Sequence, residues 1–244
     1  MCCFSKTVKL VADTNIFARA GEGGRQYLVY SMKVGAAEDL AMILPIPVPP
    51  NPKEDAVHFI NLEKYSEFFA DLRAGFPEPP AKAESAGRAR PSLTLPKVEV
   101  GSFVASFVPK IKDFARLDAE FRLPTDVWDK LPQYKDWGFA VFQLKKGEKK
   151  IHPMAFDFPR RDREALFFPT VHIHDGTVPA KAKFDHLLFC QLTGGEMVME
   201  WVESPQLADS FMKKLDAAQG IVEGKAHVYR KVMKGTFKNA DVII

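Results

Sequence analysis

Hydrophobic and polar positions alternate from Arg25 to Val34, with Tyr27, Val29 and Ser31 on one face and Leu28, Tyr30 and Met32 on the other. A period of two predicts a strand. Before it, Thr7 to Ala20 is rich in Val, Leu, Ile and Phe, and Gly21-Glu22-Gly23-Gly24 separates the two segments. Apolar runs joined by a glycine-rich turn predict a β-hairpin. Leu40 to Ile46 is a third strand candidate, and it runs into Pro45, Pro47, Pro49, Pro50 and Pro52. Proline donates no ladder hydrogen bond, so the sheet is expected to stop there or reach an edge.

Residues 54–74 carry Val57, Ile60, Phe68 and Leu72 at helical spacing and end at Gly75 and Pro77, which predicts a helix. Residues 77–96 are rich in proline and small residues, an excursion or linker. Alternation returns over 97–108. Short helices are expected at 110–120 and 124–131, and a last one at 205–218, where Phe211, Met212 and Leu215 form a stripe. Gly138 to Leu144, Lys150 to Phe158, Leu166 to His174 and His186 to Leu192 read as strands. Strands and helices do not alternate regularly. The expected class is α+β, a mostly antiparallel sheet or sandwich with three to four helices. One domain over 1–244 with a flexible 77–96 is the first reading; 1–76 and 97–244 as two subdomains is the alternative.

Composition narrows the function classes. The chain has 244 residues, is 46% hydrophobic and 27% charged, and shows no apolar stretch long enough to span a bilayer. No membrane partner is expected. Thirty-four Lys and Arg against 31 Asp and Glu leave a net charge of +3, too little to argue for nucleic acid. Cys2, Cys3 and Cys190 are the only cysteines, an odd count that does not suit a disulfide framework. With no visible signal peptide, cytoplasmic residence with reduced thiols is expected. Nucleotide-loop, zincin and hydrolase-elbow motifs are absent from the sequence.

Two sets of residues could carry chemistry. His172 and His174 share one face of a strand, and Cys2 and Cys3 add thiolates from the far end of the chain. Imidazole with thiolate suits copper or zinc, so Cys2, Cys3, His172 and His174 are the candidate ligands, with His152, His186 and Cys190 in reserve. The contrasting view is a sheet with histidines beside the Asp175-Gly176 turn. Cys2 is also a candidate catalytic nucleophile. With Met1 removed, its α-amine could serve as base for its own thiol, as in N-terminal-nucleophile amidohydrolases. Asp157, Arg160, Arg161, Asp162 and Arg163 read as a surface ion-pair cluster that could instead hold an anion. Trp128, Trp137 and Trp201 read as core.

Cys2-Cys3-Phe4, Ile16-Phe17-Ala18-Arg19 and the block Glu38-Asp39-Leu40-Ala41-Met42-Ile43-Leu44-Pro45-Ile46-Pro47-Val48-Pro49 together resemble the start of an uncharacterised bacterial domain-of-unknown-function family. Its pattern is a cysteine-led hairpin followed by a strand ending in alternating prolines. The resemblance covers about 50 residues and implies no activity and no site residue. Three functions are therefore open. The first is a copper- or zinc-binding protein, or a copper- or zinc-dependent enzyme, with a Cys/His site. The second is a Cys2 amidohydrolase. The third is a non-catalytic protein-interaction domain using 45–52 or 77–96 to dock an unknown protein partner.

Overall fold

The structure is a computed structural model that describes residues 3–77, 103–150, 152–173, 176–192 and 199–244. In chain order its elements are β1 (Cys3–Phe4), β2 (Leu10–Ala20), β3 (Arg25–Ala36), β4 (Leu40–Ile46), β5 (His58–Asn61), α1 (Phe68–Ala74), β6 (Phe103–Val108), α2 (Thr125–Asp129) and β7 (Gly138–Leu144). There follow β8 (Gly147–Lys150), β9 (Met154–Pro159), β10 (Phe167–Phe168), β11 (Lys181–Gln191), β12 (Val202–Glu203), β13 (Tyr229–Lys238) and β14 (Val242–Ile243).

Among the described residues the protein is mostly β, 41% strand and 18% helical. An eight-stranded sheet runs β12-β13-β11-β2-β3-β9-β5, with β8 also on β3. A four-stranded sheet runs β1-β4-β7-β6, and β10 and β14 form a separate ribbon. Every pairing of named strands is antiparallel except β11 with β2. Strands from both sides of residues 78–102 interleave in both large sheets. No helix among the described residues is long and apolar enough to cross a membrane.

Burial explains why the strands read as apolar runs. In β4, Leu40, Met42, Leu44 and Ile46 enter the core between the two large sheets, with Leu28, Tyr30 and Phe156 opposite them. Ala41 and Ile43 point the other way, into a cluster with Phe114, Trp128 and Tyr134. In the eight-stranded sheet, Phe17, Val29 and Ala155 face outward under α1 and the 208–222 segment. Each sheet is thus covered on both faces over its centre, and period-two alternation fades where both faces are dry. The prolines fit their places. Pro45 pairs across from Phe139, while β1 covers only Met42 and Ile43 on the other side of β4. β4 is an edge at Pro45, where the missing N–H costs little.

The expectation of three to four helices is overturned, and with it the α+β assignment in that form. The 54–74 segment becomes β5, a 3-10 turn and the seven-residue α1. Its apolar spacing suited a helix, but β9 offers an open ladder and His58–Asn61 takes it. Residues 110–120 form 3-10 turns, 124–131 yields only the five-residue α2, and 205–218 holds two more 3-10 turns. These short caps bury Phe114, Phe121, Trp128 and Ala208 against a sheet, and packing rather than helix propensity sets their length. The β2–β3 hairpin forms as expected. Gly23 and Gly24 take φ of 64° and 74°, a conformation that a side chain would strain.

Candidate functional site

Of the predicted metal ligands, the two among the described residues, Cys3 and His172, do not converge. Cys3 pairs with Ile43 and bridges to Ile173, and its side chain lies with theirs in the outer core of the four-stranded sheet. His172 precedes Ile173 and packs the other way, its ring 4.2 Å from that of Phe184 and 5.2 Å from that of His186. The alternation that would let His172 and His174 share a face therefore separates His172 from Cys3. Cys2 and His174 lie outside the described residues, as does most of the 77–96 segment. Of the reserves, His186 does meet His172. Cys190 lies four residues further along β11, roughly 13 Å away at strand rise. His152 sits beside Pro153 O at 3.2 Å. Among the described residues no group of three His, Cys, Asp or Glu side chains is placed to hold a metal ion. This corrects the expectation of a metal-binding, copper or zinc protein.

The Cys190 thiol is fully buried, and burial pushes its pKa well above the ordinary value. Cys3 is equally buried. A raised thiol pKa leaves little thiolate at neutral pH. In a Cys2→Ser variant, Ellman's reagent is therefore expected to react only after denaturant is added. Prompt colour from the native variant would contradict this burial.

What holds the Thr170–His172 segment was not visible in sequence. Asp241 Oδ1 accepts the backbone N–H groups of Thr170 at 2.8 Å and Val171 at 3.1 Å, and Oδ2 accepts the Tyr134 hydroxyl at 2.5 Å. Asn239 Oδ1 accepts the His172 N–H at 2.7 Å, while its amide donates to His172 O and Pro179 O. Burial pushes the Asp241 carboxyl upward, and its three donors pull it back.

A polar cleft of about 480 Å³ opens on the other side of the eight-stranded sheet's centre, lined in part by Arg19, Arg25, Tyr27, His58 and Asp157. Strand register builds it. Arg19 lies opposite Tyr27, Tyr27 opposite Asp157, and Asp157 opposite His58, one row across four strands. The Arg19 guanidinium stacks 5.0 Å from the Tyr27 ring centroid and donates to Ile221 O at 2.7 Å. Arg25 Nε donates to the Asp157 carboxylate, its Nη2 donates to Ala56 O at 2.7 Å, and His58 Nδ1 stands 3.3 Å from Asp157 Oδ1. Asp157 thus serves this row and not the arginine cluster expected from sequence. The one signal for it was a lone carboxylate inside the apolar run Met154–Pro159, which must find a partner when buried.

Among the described residues the lining holds no serine, threonine or cysteine. Glu22 and Glu223 also line it and offset the arginines, which does not favour a small anion. Arg and Tyr are among the residue types enriched at the anchors of protein interfaces.

The docking segments expected from sequence divide differently. Pro45 and Val48 are buried and Pro47 and Pro49 half-buried, so within the proline run only Pro50 and Asn51 are fully on the surface.

No protein-family model matches the chain, and no curated protein matches it. Solved structures do, and they define a class of fold. One match has a TM-score of 0.56 at 16% identity, covering 99% of this chain and 98% of the other. It is the crystal structure of baculovirus P35. Two structures of a mutated baculovirus P35 after caspase cleavage match with TM-scores of 0.50, at 16% and 14% identity, over 96% and 95% of this chain. They are covered over 97% and 98% of their own length. At this identity the likeness is one of fold.

Proposed function

We propose that this chain is a non-catalytic protein-interaction protein whose partner is a protease of the caspase class. The observation that carries the reading is the end-to-end match in fold to baculovirus P35, a protein also solved after caspase cleavage. The polar cleft supports the same reading, since Arg and Tyr are residue types enriched at the anchors of protein interfaces. The interleaving of strands from both sides of residues 78–102 supports a unit that acts as a whole.

The test is direct. The purified protein is mixed with each of a panel of active caspases, the mixture is run on size exclusion, and residual peptidase activity and intact mass are recorded. At least one caspase is expected to co-elute with the chain or to cut it at a single site with loss of its own turnover. Full activity across the panel, no co-elution and an uncut chain would overturn the proposal.

A further inference from the structure

The β10–β14 ribbon places Phe167 directly opposite Ile243, beside the end of β9. Between them and Trp137 lies an apolar cavity of about 180 Å³, with Pro47 in its wall and Arg160 and Arg161 at its side. Trp137, read from sequence as core, is only half-buried, and its ring meets Phe167 edge-on at 5.2 Å. The buried Gln26 needs nothing from a ligand. Its amide donates to Phe167 O at 2.7 Å and its oxygen accepts the Phe167 N–H at 3.0 Å.

Size decides what can enter. An apolar cavity of about 150 Å³ accommodates a benzene ring, whereas sites for drug-sized molecules start near 300 Å³. This cavity therefore takes one aromatic or leucine-sized side chain. Charge decides what lies next to it. Arg160 donates from Nη1 to Ala165 O at 3.2 Å, and Arg161 donates to Val48 O and Asp136 O. Both guanidiniums are thus held by neutral carbonyls. Arg160 Nε is buried and has no hydrogen-bond partner among the described residues. Asp162 also lines the cavity, its Oδ1 accepting the Glu164 N–H at 3.0 Å, and the Glu164 and Asp162 carboxylates act on Arg160 against the like charge of Arg163, so that three arginines, Arg161 included, face two carboxylates. The wall keeps a net positive charge beside an apolar slot.

We propose that this slot recognises an extended segment of a partner protein that inserts one aromatic or leucine side chain and sets an adjacent carboxylate against Arg160. The inference goes beyond the caspase reading, because it specifies recognition chemistry and holds whichever protein carries the segment.

The probe is a set of blocked dipeptide amides, titrated into the isotope-labelled full chain and followed by amide and indole resonances. Acetyl-phenylalanyl-glutamyl amide is expected to give saturable shifts at the Trp137 indole and over residues 160–167. It should bind about fivefold more tightly than the phenylalanyl-lysyl analogue, the scale of a partly exposed charge pair. The alanyl-glutamyl analogue should give no saturable shift there. Ile243 is 62% exposed, so Ile243→Glu should fold normally while blocking the slot and abolishing the shifts. Arg160→Gln should erase the preference for glutamate. Equal binding of the lysyl analogue would overturn the charge assignment. No saturable shift at Trp137, or equal shifts from the alanyl peptide, would overturn the slot. None of these outcomes depends on caspase binding, so failure here and failure of the caspase reading are separately visible.

Discussion

Phe142→Ala is expected to destabilise the protein by about 4 kcal/mol, the usual cost of removing a large buried ring from a core that cannot collapse. Phe142 is fully buried at the centre of β7, opposite Met42 on one side and Ala105 on the other. Its ring crosses to the other sheet, 5.6 Å from Phe59 edge-on and 5.9 Å from Phe156. It therefore joins both layers, and the void left by alanine is walled by two hydrogen-bonded sheets that cannot move inward independently. At roughly 2–4 °C per kcal/mol for a chain of this size, the melting temperature should fall by about 8–16 °C. Phe142→Leu keeps most of the volume and should cost under ~2 kcal/mol. Melts and urea titrations of the two variants check this. Similar midpoints for Ala and Leu would mean that the sheets do not pack across this ring.

Asp241→Ala carries the second largest effect, about 3 kcal/mol. The carboxylate accepts from Thr170, Val171 and Tyr134, whose residues are respectively 0%, 5% and 0% exposed. A buried donor left without an acceptor costs about 1–3 kcal/mol, and relaxation around the small alanine recovers part of the sum. Asp241→Asn keeps an acceptor for the two backbone N–H groups and should lose about 1 kcal/mol. Combining Asp241→Ala with Tyr134→Phe should cost less than the sum of the single changes by at least ~0.5 kcal/mol, because both delete the same bond. Additive losses in equilibrium unfolding would show that the pair does not act as one unit.

Much of the strand content was readable from local pattern. The 7–34 hairpin, Leu40 to Ile46 and Gly138 to Leu144 were marked by glycine turns, by alternation or by apolar runs of strand length. Helix content was misjudged because spacing at Val57, Ile60, Phe68 and Leu72 is compatible with two structures. An unfilled ladder on β9 selected the extended one for His58–Asn61. A local period cannot report an edge built by residues a hundred positions away.

The chemistry divided along the same line. Residue types alone suggested Cys3 and His172 as ligands, but ligation needs convergence, and the pleat sends them to opposite faces. The row Arg19, Tyr27, Asp157 and His58 had no sequence spacing to announce it as a whole, since the β2–β3 hairpin supplies two of its residues and the distant strands β5 and β9 supply the others. By itself the sequence determined that this is a chain with a large apolar core, near-neutral charge, few cysteines and many strands, because composition and local period are properties of short segments. Only the tertiary structure decided which strands pair, which faces are covered, and which polar side chains meet in a cleft. Register and layer packing are set by long-range contacts, and a shift of one residue would send every side chain to the other face.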